Sequence, residues 1–240
     1  MFYMQKIFDE LAHGKLSQMA IGNSIHGSIK QDKYPQIISA MNAALRDLHI
    51  RFVLKKKEFL LHQQAGVSNY YLRPSHIGDP ASVEDPEIYL EDPESNLANR
   101  DIIKILSAFL ADGTELYIND ARYPDDIFMP QNDVIKITPR DPLEIISIEY
   151  QAEHTDIVIG ADFDPKTHEL FFPTYLIEPV KLYITSQLFV GKTSNPQEGQ
   201  PSIASTFMFK YEQACHDITN RSLVPQEDDV QQQFELGGWV

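Results

Sequence analysis

Ile37, Met41, Leu45, Leu48 and Phe52 recur at steps of four, four, three and four. Such spacing lines one side of a helix and no side of a strand, so it predicts an amphipathic helix over about residues 35–53. Pro35 suits its first turn, where a missing N–H costs nothing. Asn42, Arg46 and Asp47 fall on the other faces. Phe2, Ile7, Phe8 and Leu11 predict a short helix over residues 3–12. Near the other end Leu176, Val180, Tyr183 and Ile184 predict a helix from Glu178-Pro179 to about Val190. Ser202 can cap a last helix to about Arg221, with Phe207, Tyr211, Ala214 and Ile218 on one stripe.

Between these helices the period changes. Residues 58–64, 69–72, 87–90, 134–138, 145–152 and 168–172 read as strands. Residues 102–110 and 115–119 read as a hairpin, because Asp112-Gly113 supplies the positive φ of such a turn; the apolar run 102–110 also fits a helix. Residues 16–32 and most of 75–100 read as loops. The expected fold class is α+β: a helical bundle built from both termini, an inserted β-rich module and an extended C-terminal arm. The expected limits are 1–55 and 174–222 for the bundle, 56–173 for the module and 223–240 for the arm. No internal repeat and no apolar heptad run is visible.

The apolar fraction of 42% is enough for a core in 240 residues. No stretch approaches the roughly 18 consecutive apolar residues of a membrane span. The first ten residues carry charges and no apolar signal core, so a cytoplasmic origin is expected. Cys215 is the only cysteine, which rules out an internal disulfide and reads as a small buried hydrophobe. The formal charge of -15 argues against a sequence-independent grip on nucleic acid. The one basic cluster, Lys55-Lys56-Lys57, is short and followed by Glu58, and reads as a strand entrance or subunit contact.

Catalytic and metal patterns are weak. Ser186–Thr193 resembles half of a phosphate-binding loop but lacks its first glycine and follows a helix. Gly22-Asn23-Ser24-Ile25-His26 lacks the second glycine of a nucleophile elbow. Asp162, Asp164 and Glu169 lack the spacing of a calcium loop, and Asp162–His168 reads as a turn. Asp120, Asp125 and Asp126 surround Ala121-Arg122-Tyr123-Pro124 and read as a solvated loop. His49 and His216 stand alone on their helices. No catalytic, cofactor-binding or metal-ligating residue is assigned.

The chain's last stretch is polar and acidic from Pro225 to Gln233, then closes with Phe234-Glu235-Leu236-Gly237-Gly238-Trp239-Val240, which holds its only tryptophan. A polar arm with an aromatic hook suits capture of another protein, since Trp buries a large area at low entropy cost. Phe234, Leu236, Trp239 and Val240 are therefore the candidate docking residues; folding back onto the chain is the alternative.

Three stretches carry a resemblance: residues 34–52 with the following Lys55-Lys56-Lys57-Glu58, the segment Gly113–Asp120, and Phe209-Lys210-Tyr211-Glu212-Gln213-Ala214 with the terminal hook. In these the chain resembles the head-to-tail adaptor (connector, or collar) proteins of short-tailed bacteriophages, the tail tubular protein A group. The resemblance implies a structural, non-enzymatic virion protein that forms a ring, most often dodecameric, at the head–tail junction. Its partners would be the portal, met by the C-terminal arm, and the tail tube or nozzle, met by the β module. Genomic DNA would pass through without specific binding, and assembly would take place in the host cytoplasm. Two other classes remain open: a metal-dependent hydrolase of a phage tail using Asp120, Asp125, Asp126, Asp162 and Asp164, and an oligomeric scaffold unconnected with phages.

Overall fold

The structure, a computed structural model, describes residues 2–14, 16, 29–78, 87–92, 101–140, 143–160, 163–190, 202–221 and 223. In chain order its elements are β1 (Phe2–Tyr3), α1 (Met4–His13), α2 (Tyr34–Arg51), β2 (Lys56–His62), β3 (Asn69–Tyr71), β4 (Leu90–Glu91) and β5 (Ile102–Leu110), then β6 (Ile127–Gln131), β7 (Val134–Ile137), β8 (Ile145–Ala152), β9 (Glu169–Leu170), α3 (Ile177–Phe189) and α4 (Ile203–Asn220). The fold is α+β, and the chain forms two compact units: Met1–Phe52 with His154–Val240, and Val53–Glu153.

In the first unit α3 packs against α1, α2 and α4. A central helix needs burial on several sides, and α3 buries Val180, Leu182, Ile184, Thr185, Ser186 and Leu188. The hydroxyls of Thr185 and Ser186 donate back to the carbonyls of Lys181 (2.6 Å) and Tyr183 (2.7 Å), so neither is left unpaired. The α2 stripe is buried as its spacing predicts, through Ile37, Met41, Leu45 and Leu48. Ser202 caps α4, its hydroxyl oxygen accepting from the Ser205 N–H at 3.1 Å. No described helix is long and apolar enough to cross a membrane.

The units divide the chain at other places than the expected 56–173. Phe2 and Tyr3 pair with Leu170 and Glu169, which ties β9 to the N-terminus in the helical unit. The segment after Glu153 is held along α2: Asn42 bonds Ile157, and Arg46 meets Asp156 at 2.7 Å.

The second unit holds a four-stranded sheet in the order β4-β2-β8-β5 and a three-stranded sheet in the order β3-β7-β6, all neighbours antiparallel. Residues 102–110 are strand, not helix, because β5 runs the length of β8 with two register shifts. Alternation along β8 turns Ile146, Ile148 and Tyr150 inward. The expected strand 115–119 is a crossing instead. Glu115 bridges Phe109 on the first sheet, then Ile118 bridges Ile127 on the second. Across the module Ile77 bridges Leu90 and carries the chain from β3 to β4. The two sheets are thus joined at both margins and share one core, including Phe59, Leu61, Tyr70, Ile135, Ile146 and Tyr150. Strand β6 carries Pro130, which lacks the N–H of an interior ladder; at the sheet margin, with a register shift beside it, that loss is tolerated.

Candidate docking surface

The chain enters the β module at Val53 and leaves it at Glu153. Lys56 pairs with Gln151 at that end of the sheet, and β5 and β8 run from there to Leu110 and Ile146 at the other. Nine residues of extended chain span on the order of 30 Å. The far end is a loop built in layers. Gly113 turns the chain with a φ of 86°, and the Asp112 carboxylate accepts the Thr114 N–H at 2.9 Å. Asp120 makes a second such turn, accepting the Arg122 N–H at 2.9 Å and its guanidinium at 2.7 Å. Asn119, in the left-handed region at φ 55°, accepts the Met129 N–H at 2.8 Å. Asp126 accepts from the Tyr117 N–H and from the Arg140 guanidinium, both at 3.0 Å.

These turns set Tyr117 and Tyr123 face to face, with ring centres 4.2 Å apart and planes 13° from parallel. Both rings are exposed, the Arg122 guanidinium lies 5.8 Å from the centre of the Tyr123 ring, and Phe128 is 52% exposed on the neighbouring strand. The rim is acidic, with Asp112, Glu115, Asp120 and Asp125 all in the same loop. Two of these carboxyls are pulled below their ordinary value: backbone and hydroxyl bonds at Thr114 lower Asp112, and the Arg122 bonds lower Asp120. The Tyr117 phenol is pushed up, chiefly by Tyr123 and then by desolvation. The result is a preorganised aromatic platform within a negative rim. Its chemistry suits docking on a basic, partly apolar protein surface, where Tyr and Arg contribute most of the binding energy.

The other sequence candidates are placed as follows. Phe234, Leu236, Trp239 and Val240 lie outside the described residues, as do Asp162, Gly191–Thr193 and Gly22–His26. Asp164 serves a turn, its carboxylate accepting the Lys166 N–H at 2.9 Å and its carbonyl the His168 N–H at 3.0 Å. Among the described residues no group of three or more His, Cys, Asp or Glu is gathered as a metal site would require. Ser186 ends in a hydrogen bond to its own helix. Cys215 is buried and desolvation pushes its thiol up, away from the thiolate a nucleophile needs. His49 is buried with Nδ1 2.7 Å from the Leu45 carbonyl and its ring 5.2 Å from that of His154, while His216 is exposed.

The basic cluster is consumed by the root of the module. The Lys57 ammonium pairs with Asp101, both nearly buried, and Asp101 also accepts the Tyr150 hydroxyl at 3.3 Å. Lys56 pairs with Glu149 at 2.9 Å, and burial followed by the Lys57 charge lowers Lys55. The Tyr117–Tyr123 platform itself went unread in the sequence. The signal was an Asp-x-Arg turn between two tyrosines six residues apart. No protein-family model matches the chain, and no curated protein matches it closely enough to count as a relative.

Proposed function

We propose that this chain is a structural connector of a short-tailed bacteriophage, assembling as a ring between the portal and the tail tube or nozzle. The observation that carries the reading is the acidic aromatic platform at the end of the β module opposite the two chain crossings. In this reading it is the surface that meets the tail. The terminal hook of Phe234, Leu236, Trp239 and Val240 reaches the portal. A helical unit assembled from both ends of the chain forms the ring wall. The net charge of -15 keeps a DNA conduit from binding what passes through it.

The test is negative-stain microscopy of the protein alone and mixed with its candidate portal. Rings coaxial with the portal are the expected result. A protein that ignores the portal at micromolar concentrations overturns the reading.

A further inference from the structure

The Tyr117–Tyr123 platform does not end at its loop. Ile118 bridges Ile127 and the Asn119 N–H donates to the Ile127 carbonyl at 2.8 Å, so residues 117–119 lie alongside β6. From β6 the three-stranded sheet continues through β7 to β3. Lys136 on β7 stands opposite Phe128 on β6 and opposite Asn69 on β3, which puts the three in one row across the sheet. All three are exposed, while their strand neighbours Ile127, Ile135, Ile137 and Tyr70 are buried in the core. The row therefore lies on the outer face of the sheet. Tyr71, two residues on from Asn69, shares that face and is 40% exposed.

The solvated face of an antiparallel sheet normally alternates to polar residues. This one presents an aromatic ring on each marginal strand, Phe128 and Tyr71, two strand spacings or about 10 Å apart across the sheet. Tyr71 is held in place. Its N–H donates to the Tyr89 hydroxyl at 2.8 Å, that hydroxyl donates to its carbonyl at 3.2 Å, and the Arg73 guanidinium lies 4.9 Å from its ring centre. An anchor fixed before docking loses little entropy on binding. The charge on this face has the opposite sign to that of the loop. Strands β3, β6 and β7 carry no Asp or Glu, and their one charged residue is Lys136. Arg73 adds a second cation, with the Asp133 carboxylate 3.6 Å from it.

We infer that the surface meeting the tail spans both regions, and that the tail protein lays a basic patch on the Tyr117–Tyr123 loop and an acidic patch on Lys136 and Arg73. A stable interface takes roughly 800 Å² from each partner, more than two tyrosine side chains offer at about 150–250 Å² each. A partner seated on the platform therefore spreads beyond it, and Phe128 joins the platform to the outer face of the sheet. A wholly basic partner would meet like charge at Lys136 and Arg73, which costs affinity at close range. The reversal of sign along the surface also fixes which way round the partner sits, because the half-turned placement sets like charge against like at both ends. The inference rests on the platform reading above, and adds the second half of the surface and the charge of what covers it.

Biolayer interferometry against the candidate tail tube or nozzle protein, at low and at high salt, tests it. The sheet variants are Lys136→Glu, Arg73→Glu and Phe128→Ala, and Tyr117→Ala with Tyr123→Ala reports on the platform alone. Melting curves establish that each variant is folded; Lys136→Gln and Arg73→Gln replace a charge reversal that is not. Lys136→Glu and Arg73→Glu are each expected to weaken binding about 10-fold at low salt, through slower association, and less at high salt. Phe128→Ala is expected to weaken it about 10-fold at both. Sheet variants that bind like the wild type, while the platform variant loses binding, overturn the inference and leave the platform reading standing. Tighter binding by Lys136→Glu overturns it too, because the tail protein would then be basic over the sheet. If the platform variant also binds normally, or the wild type does not bind the tail protein at all, the platform reading falls with it.

Discussion

Asn42 and Ile157, 115 residues apart, exchange two hydrogen bonds: the Asn42 amide donates to the Ile157 carbonyl at 3.0 Å and accepts its N–H at 2.9 Å. Both residues are buried. The pair satisfies an irregular segment's backbone where neither helix nor sheet does so. Asn42→Ala leaves a buried donor and acceptor unpaired and is expected to cost about 2–4 kcal/mol. Urea unfolding should show a lower midpoint with an unchanged slope; a shift under about 0.5 kcal/mol would mean that water replaces the amide.

Tyr211 is fully buried on α4 and its hydroxyl donates to Asp47 on α2. Burial, then the hydrogen bond to Asp47, pushes its phenol well above the ordinary value of 10.0. Below pH 10 the group is protonated in folded and unfolded chains alike, and its contribution is constant. Above pH 10 the unfolded chain releases the proton and the folded one does not, so stability falls as pH rises. The slope from this one group approaches about 1.4 kcal/mol per pH unit. Tyr211→Phe is expected to cost about 1–3 kcal/mol at pH 7 and to flatten the decline between pH 10 and 11. Tyr70, Tyr89 and Tyr183 shift the same way and keep part of the slope in the variant. Thermal melts across pH 8–11 provide the comparison.

The Lys57–Asp101 pair is nearly buried and Asp101 also holds Tyr150. Removing one partner strands a charge. Asp101→Leu or Lys57→Met alone is expected to cost about 3–5 kcal/mol. The double substitution Lys57→Met with Asp101→Leu should recover much of that loss, since a buried pair repays little beyond its own desolvation. A double-mutant cycle by chemical denaturation measures the coupling.

Tyr117→Ala with Tyr123→Ala removes the exposed stack. Stability should fall by no more than about 1.5 kcal/mol, the upper worth of an aromatic pair. Affinity for the candidate tail tube or nozzle protein should fall 10-fold to 100-fold if the pair is a hot spot. Biolayer interferometry against that partner decides; unchanged binding would place the platform outside the interface.

Deletion of residues 225–240 is expected to leave the melting temperature within about 2 °C and to abolish portal capture, because termini contribute little to a core unless tied down. Trp239→Ala should weaken capture by about 2–4 kcal/mol. Normal portal binding by the truncated chain would sink the role given to the hook.

Parts of this fold can be read directly from the residues. The α2 stripe from Ile37 to Leu48 and the alternation of β8 are apolar patterns with the right periods, and Asp112-Gly113 announces its turn. What escapes is what lacks an apolar period. Pro130 argues against a strand at β6, and only a place at the sheet margin permits it. The return of residues 154–170 to the helical unit depends on two-residue strands, too short to carry a pattern. The Tyr117–Tyr123 stack depends on where residues 115–119 cross between sheets.

The two ends of the β module lie side by side: the Ala152 N–H donates to the Lys55 carbonyl at 2.9 Å, and the Glu153 N–H to the Asp101 carbonyl at 2.7 Å. That adjacency has a kinetic meaning. While the module is unfolded, α2 and α3 are joined by a long flexible loop whose closure costs entropy. Once the module folds, its two ends are drawn together, and the loop that Asn42 and Ile157 must close is shorter in effective length. During synthesis the module emerges ahead of α3 and α4, so it can fold as a unit and draw its two ends together before those helices emerge.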